Sequence, residues 1–149
     1  MFDLESVVNV LERVGAATLL GGILGLDREL RERSAGLRTH MMVAIGAAIF
    51  IMAGLGAAGG VGRDVTRVVQ GIVVGIGFIG GGTILKLTEQ QRVKGLTTAS
   101  SIWLAAGVGT ACGLAEFTLA VVGTAISVVV LAALRPVEKF LSRFEHHPK

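Results

Sequence analysis

Acids, hydroxyls and basic residues with chemistry to offer gather in two short stretches. The first is "DRELRERSAGLRTH", where Asp27 and Glu29 stand two residues apart beside Arg28 and are followed by Arg38, Thr39 and His40. The second is "GGGTILKLTEQQRVKGLTTASSIW", with Thr83, Lys86, Lys94, Thr97, Thr98 and Trp103. Carboxylates attract hard cations, so Asp27 and Glu29 are the candidate metal residues. Three consecutive glycines at Gly80–Gly82 weaken a helix, and a break there would expose carbonyls. With Thr83, Gln70 and the Thr97/Thr98/Ser100/Ser101 cluster they would form an oxygen-rich lining; tight packing without a ligand is the plainer alternative.

These residues sit in an apolar chain. Hydrophobic residues make up 52%, charged residues 17%, and the mean hydropathy is +0.71, which a water-soluble domain of 149 residues does not match. A hydrocarbon core takes roughly 20 apolar residues to cross. Five segments qualify: Val7–Leu26, Thr39–Ala58, Val68–Leu85, Leu96–Ala115 and Phe117–Leu134. The first is the weakest, because Glu12 and Arg13 lie inside it. The expected fold is an all-α integral membrane protein of about five transmembrane helices, covering residues 1–135, with a short cytoplasmic tail at 136–149.

Basic residues collect in cytoplasmic loops. With the amino terminus outside and the carboxyl terminus inside, eleven of the fourteen Lys and Arg fall on the inner side, and only Arg13, Arg63 and Arg67 fall outside. The sequence pI near 9.6 then reflects topology and anionic inner-leaflet lipid rather than a nucleic-acid partner. No basic n-region or small-residue cleavage site opens the chain, so a removable signal peptide is not expected. Cys112 stands alone, which excludes an intrachain disulfide and suits a small residue in a glycine-rich helix.

"AGLRTH" and "KGLTTA" repeat Gly-Leu-x-Thr. An offset of 59 residues carries Gly36 onto Gly95, and likewise Gly21-Gly22 onto Gly80-Gly81, Arg33 onto Arg92, and Thr39 onto Thr98. Helices one and three run the same way, so helices 1–2 and 3–4 form a parallel two-helix repeat. Each Thr is a candidate helix cap, and two helix starts on the inner face would make a paired cytoplasmic entrance. The same offset pairs Asp27 with Lys86. An ionisable group at this depth faces inward with a partner, here Lys86, Arg38 or Arg28; a solvated acid in a basic loop is the alternative. "GIGFIG" fits G-x-G-x-x-G but lies in an apolar span without βαβ context, so it is no dinucleotide site. Helix packing explains it better, as it does the pairs Gly71/Gly75, Gly77/Gly81, Gly21/Gly25 and Gly109/Gly113.

In order, "GGILGLDRE", "AGLRTH", "GIGFIGGGTI" and "VKGLTTASSIW" resemble the amino-terminal membrane domain of the MgtC/SapB family, over about Leu11 to Leu134. The resemblance implies a bacterial inner-membrane, multi-pass protein of magnesium homeostasis. It points either to a Mg2+ transporter or channel component, or to a regulatory module that modulates a partner such as the proton-translocating ATP synthase. The family's acid after the first helix corresponds to Asp27, with Arg28 and Glu29 following. Its inner-loop signatures fall on Arg38, Thr39 and His40, and on Lys94, Gly95, Leu96, Thr97, Thr98 and Trp103. His40 suits a cap or interface residue as well as a ligand, and Trp103 suits core or interface packing. Longer members carry an ACT-like domain after the membrane part; this sequence resembles the short SapB-like form. Five short helices make a cramped pore, so at least a homodimer is expected. No resident cofactor is expected, Mg2+ entering only as a transported or regulatory ion. An enzyme is not expected either, since no nucleophile, base and orienting residue come together at one depth.

Overall fold

The computed structural model describes residues 3–57, 65–87 and 92–142, with the backbone alone for 57, 85–87, 92 and 135–142. Five helices run α1 (Leu4–Glu29), α2 (Leu37–Ala57), α3 (Val65–Gly82), α4 (Leu96–Gly113) and α5 (Phe117–Ser142). A short antiparallel hairpin, β1 (Leu85–Leu87) and β2 (Arg92–Lys94), joins α3 to α4, with Lys86 opposite Val93.

α1, α2, α3 and α5 are each long and apolar enough to cross a membrane by length and composition. α4, 18 residues long, is not among these four. It is also the most enclosed helix, with Ile102, Ala105, Ala106, Val108, Ala111 and Cys112 buried among its neighbours. A helix sheltered by other helices does not need a lipid-compatible surface all round.

α1, α2 and α4 pack closely as a trio, α3 lies against α4 and α2, and α5 against α4 and α1. Small residues set the trio's spacing. A Cβ at Gly21 would come within 2.8 Å of the Ala44 side chain, one at Gly25 within 2.7 Å of Leu37 Cα, and one at Gly113 within 2.8 Å of Ala48 O. A Cβ at Gly109 would collide with the Ala44 backbone. In lipid, where no hydrophobic drive separates helix from tail, such close approach supplies the dispersion contacts that hold helices together. Gly71, Gly75, Gly77 and Gly81 behave differently: nothing lies within 4 Å of a Cβ built on any of them. Two of the four expected packing pairs are therefore used inside this chain, and the two on α3 are not.

The repeat is visible in the packing. α2 and α4 start at Leu37 and Leu96, 59 residues apart, and Gly21 meets His40 as Gly80 meets Ala99, a contact displaced by the same offset. It breaks down at the connections. α1 continues to Glu29, whereas α3 stops at Gly82 and the chain enters the hairpin, so Leu85 belongs to β1 and not to the third span. The triple glycine itself stays helical, and α3 ends on Gly82. Two of its carbonyls have partners: the Thr83 N–H and hydroxyl donate to Gly80 O, and the Ile84 N–H to Gly81 O. At the other end of the chain, α5 runs through Pro136 to Ser142, so the expected boundary at 135 is no helix end.

Candidate functional site

The chemistry-bearing residues converge at one end of the bundle, where α1 finishes and α2 and α4 begin. α1 closes on a turn in which Glu32 takes a left-handed conformation (φ 51°) and the Arg33 N–H returns to Arg28 O at 3.1 Å. That return places Arg33 beside Arg28.

Asp27 is held by two guanidiniums. Arg28 donates from Nε and Nη2 to one carboxylate oxygen at 3.2 and 2.9 Å, and Arg31 from Nε to the other at 2.8 Å. The Arg28 side chain is 3% exposed and that of Asp27 17%, so this is a largely buried, charge-assisted cluster. Arg28, one of the three partners expected for the acid, is observed, with Arg31 added. Lys86 has its backbone in β1, and its side chain lies outside what the structure describes, as does that of Arg92.

Glu29 has a separate task. Its Oε2 accepts the Leu37 N–H at 2.9 Å, which caps the start of α2 from a distance of eight residues. Gly36 is what lets the carboxylate in, since a Cβ there would overlap it. This corrects the capping role expected of the Gly-Leu-x-Thr threonines. Thr39 sits inside the first turn of α2, and Thr98 inside that of α4, whose N-cap is Gly95 in a left-handed conformation (φ 98°) without a side-chain bond. Thr98 is buried, Thr97 exposed and Thr39 half-buried.

His40 is fully buried between α2 and α4. Its Nδ1 lies 2.8 Å from Gly36 O and its Nε2 3.0 Å from Ser101 Oγ. A carbonyl can only accept, so Nδ1 carries the hydrogen. His40 is therefore an interhelical joint at the head of α2.

The oxygen-rich lining expected from Gln70, Thr83 and the α4 hydroxyls does not assemble. Thr83 and Ser100 each donate to a carbonyl of their own segment, Gly80 O and Leu96 O, Ser101 stands between Thr98 O and His40 Nε2, and Gln70 is exposed. In apolar surroundings a hydroxyl without another partner bonds back to its helix. Arg38 and Lys94 are exposed. Trp103, 52% exposed, is a surface residue of α4 rather than part of the core. Among the described residues no group of three or more His, Cys, Asp or Glu is placed to hold a metal ion.

One interhelical contact has only a weak sequence signal. Arg13, the charge that weakened the first span, donates from Nη1 to Gly113 O at 2.8 Å and so satisfies the carboxyl end of α4. A basic residue inside an apolar span was the available clue.

Apolar helices with a polar cluster confined to one end define an integral membrane helical bundle. The chain belongs to the MgtC family, whose model matches residues 14–140. It is 44% identical over 137 residues to an uncharacterized protein of Synechocystis sp., covering 92% of this chain and 57% of that one. Proteins named Protein MgtC are 43% identical over 128 residues in Brucella abortus (86% and 52% covered) and 42% identical over 120 residues in Salmonella typhimurium (80% and 50% covered). The chain thus spans about half the length of the curated relatives it matches. No solved structure matches.

Proposed function

We propose that this chain is an inner-membrane module of magnesium homeostasis that works by docking its α2–α3 face onto a transmembrane helix of a second copy or of a regulated partner. The observation that carries this reading is the groove between α2 and α3. It measures about 680 Å3 and is walled by small and apolar residues including Met42, Gly46, Phe50, Gly71, Gly75 and Ile79. Close helix association in a membrane uses glycine pairs of this kind, and Gly71/Gly75 is left open here while Gly21/Gly25 and Gly109/Gly113 are filled. The carboxylates point the same way: Glu29 caps α2 and Asp27 is shared between two arginines, an arrangement that holds a loop together and leaves little acid for a cation. The family resemblance directs the search for a partner to the proton-translocating ATP synthase.

The second reading is a Mg2+ transporter or channel component built from more than one copy. It is favoured by the position of Asp27, which keeps some exposure at the mouth where α1 ends. Mg2+ binds through one carboxylate and its own waters when several copies share a site.

Mg2+ flux into liposomes containing only the purified protein separates the two. A folded, inserted protein that passes no Mg2+ above empty liposomes, with or without a membrane potential, supports the docking module. Flux that Asp27→Asn abolishes in a protein of unchanged fold replaces it with the transporter.

A further inference from the structure

The end of α1, strand β2, the first turn of α4 and the inner half of α5 enclose a second cleft of about 360 Å3, within the usual size range of ligand sites. Its two walls differ in kind. One carries Arg28 and Arg33 with Gly95, Thr97 and Thr98; the other is Val130, Leu131 and Leu134 of α5. Arg28 is 2% exposed, and Asp27 grips its Nε and Nη2, so the guanidinium plane is fixed where it lines the cleft. Asp27 meets the charge of the buried Arg28, while Arg33 stands on the exposed rim of the cleft and keeps its own. Two guanidiniums lining one cleft suit an anion. The apolar wall does not stop at the cleft: Val130 and Leu134 are about half exposed on the outer surface of α5, and Leu96 is exposed beside them.

The fold supplies its own precedent for the anion. At the start of α2 the Glu29 carboxylate sits on the Leu37 N–H. Leu96 is the equivalent residue at the start of α4, where Gly95 provides no side-chain cap and the cleft opens instead.

We propose that this cleft binds a phosphate ester, supplied by an anionic phospholipid of the adjacent leaflet, with its phosphate against Arg28 and Arg33 and its acyl chains along Val130 and Leu134. Bidentate geometry makes arginine the natural partner of a phosphate. The abrupt change from cationic to apolar lining fits a headgroup joined to hydrocarbon better than a free ion. Basic residues gather at this end of the bundle, which the positive-inside rule turns toward the cytoplasmic leaflet and its anionic lipids. The assignment holds whether the protein docks a partner or moves an ion.

The test is lipid retention by the full chain, exchanged into nanodiscs of mixed phosphatidylglycerol and phosphatidylcholine, released into detergent and read by native mass spectrometry. Wild type is expected to retain phosphatidylglycerol over phosphatidylcholine by about tenfold, the size of one charge-assisted contact. Arg33→Gln is expected to remove that preference. Arg38→Gln, which deletes an exposed charge at the same end but outside the cleft, is expected to keep it. Arg33 is exposed, so its variant folds; elution as a single species with an unchanged melting temperature verifies this. Equal retention of the two lipids by wild type, or a preference that survives Arg33→Gln, overturns the proposal. Displacement of the bound lipid by millimolar inorganic phosphate, dependent on Arg33, overturns the lipid as source and leaves soluble phosphate in its place.

Discussion

His40 Nε2 lies 3.0 Å from Ser101 Oγ, and this one contact ties the head of α2 to α4 across the centre of the bundle. With the ring hydrogen on Nδ1, Nε2 accepts, so the bond across the helices draws on the single hydroxyl hydrogen of Ser101, for which Thr98 O, 2.9 Å away, competes.

Removing the joint is predicted to loosen the helix trio. His40→Ala should lower stability by about 2–4 kcal/mol through lost packing and interhelical bonding, and Ser101→Ala by about 1 kcal/mol. Reversible unfolding in mixed detergent micelles measures both. In the double variant the losses should fall short of additive, because each substitution already breaks the shared contact. Nitrogen-15 NMR of the neutral ring should find the hydrogen on Nδ1; finding it on Nε2 alone would contradict the bond to Gly36.

Glu29 and Gly36 form a second coupled pair. Glu29→Ala is predicted to cost about 1 kcal/mol as a lost cap, with Glu29→Gln recovering part of it. Gly36→Ala should produce a similar loss by displacing the carboxylate, and little more when combined with Glu29→Ala. Fully additive losses would show that the two residues act separately.

Glycine substitutions should divide by helix. Gly109→Ala drives a methyl group into the Ala44 backbone and is predicted to destabilise the bundle by several kcal/mol. Gly75→Leu meets open space, so the monomer should fold with an unchanged melting temperature. If α3 is the docking face, Gly75→Leu will nonetheless weaken association with the second copy or partner, as read by chemical crosslinking in native membranes. Undiminished crosslinking would remove α3 from the interface.

Arg13→Gln should destabilise the bundle by about 1 kcal/mol, since the Gly113 carbonyl loses a charged donor at the carboxyl end of α4. Arg13→Lys should recover only part of this, because an ammonium lacks the guanidinium's forked donors. Equal stability of all three forms in a thermal melt would show that the contact contributes nothing.

Much of this was legible in the sequence because lipid imposes one strict demand, that a spanning backbone satisfy its own hydrogen bonds. That demand makes apolar length readable as helix, and the 59-residue offset survives in the matched starts of α2 and α4. The hairpin at Leu85–Lys94 was not legible, because the polar interval has the same length in both halves and length does not distinguish a turn from a strand pair. Nor could spacing assign the carboxylates. Asp27 and Glu29 stand two residues apart, and only the path of the loop sends one to Arg28 and Arg31 and the other to the Leu37 amide. Sequence alone determined the membrane class, the helices and the repeat, which follow from local composition and period. Tertiary structure decided which glycines are filled, which acid caps a helix and where His40 finds its partner, because those depend on which atoms meet across a helix contact.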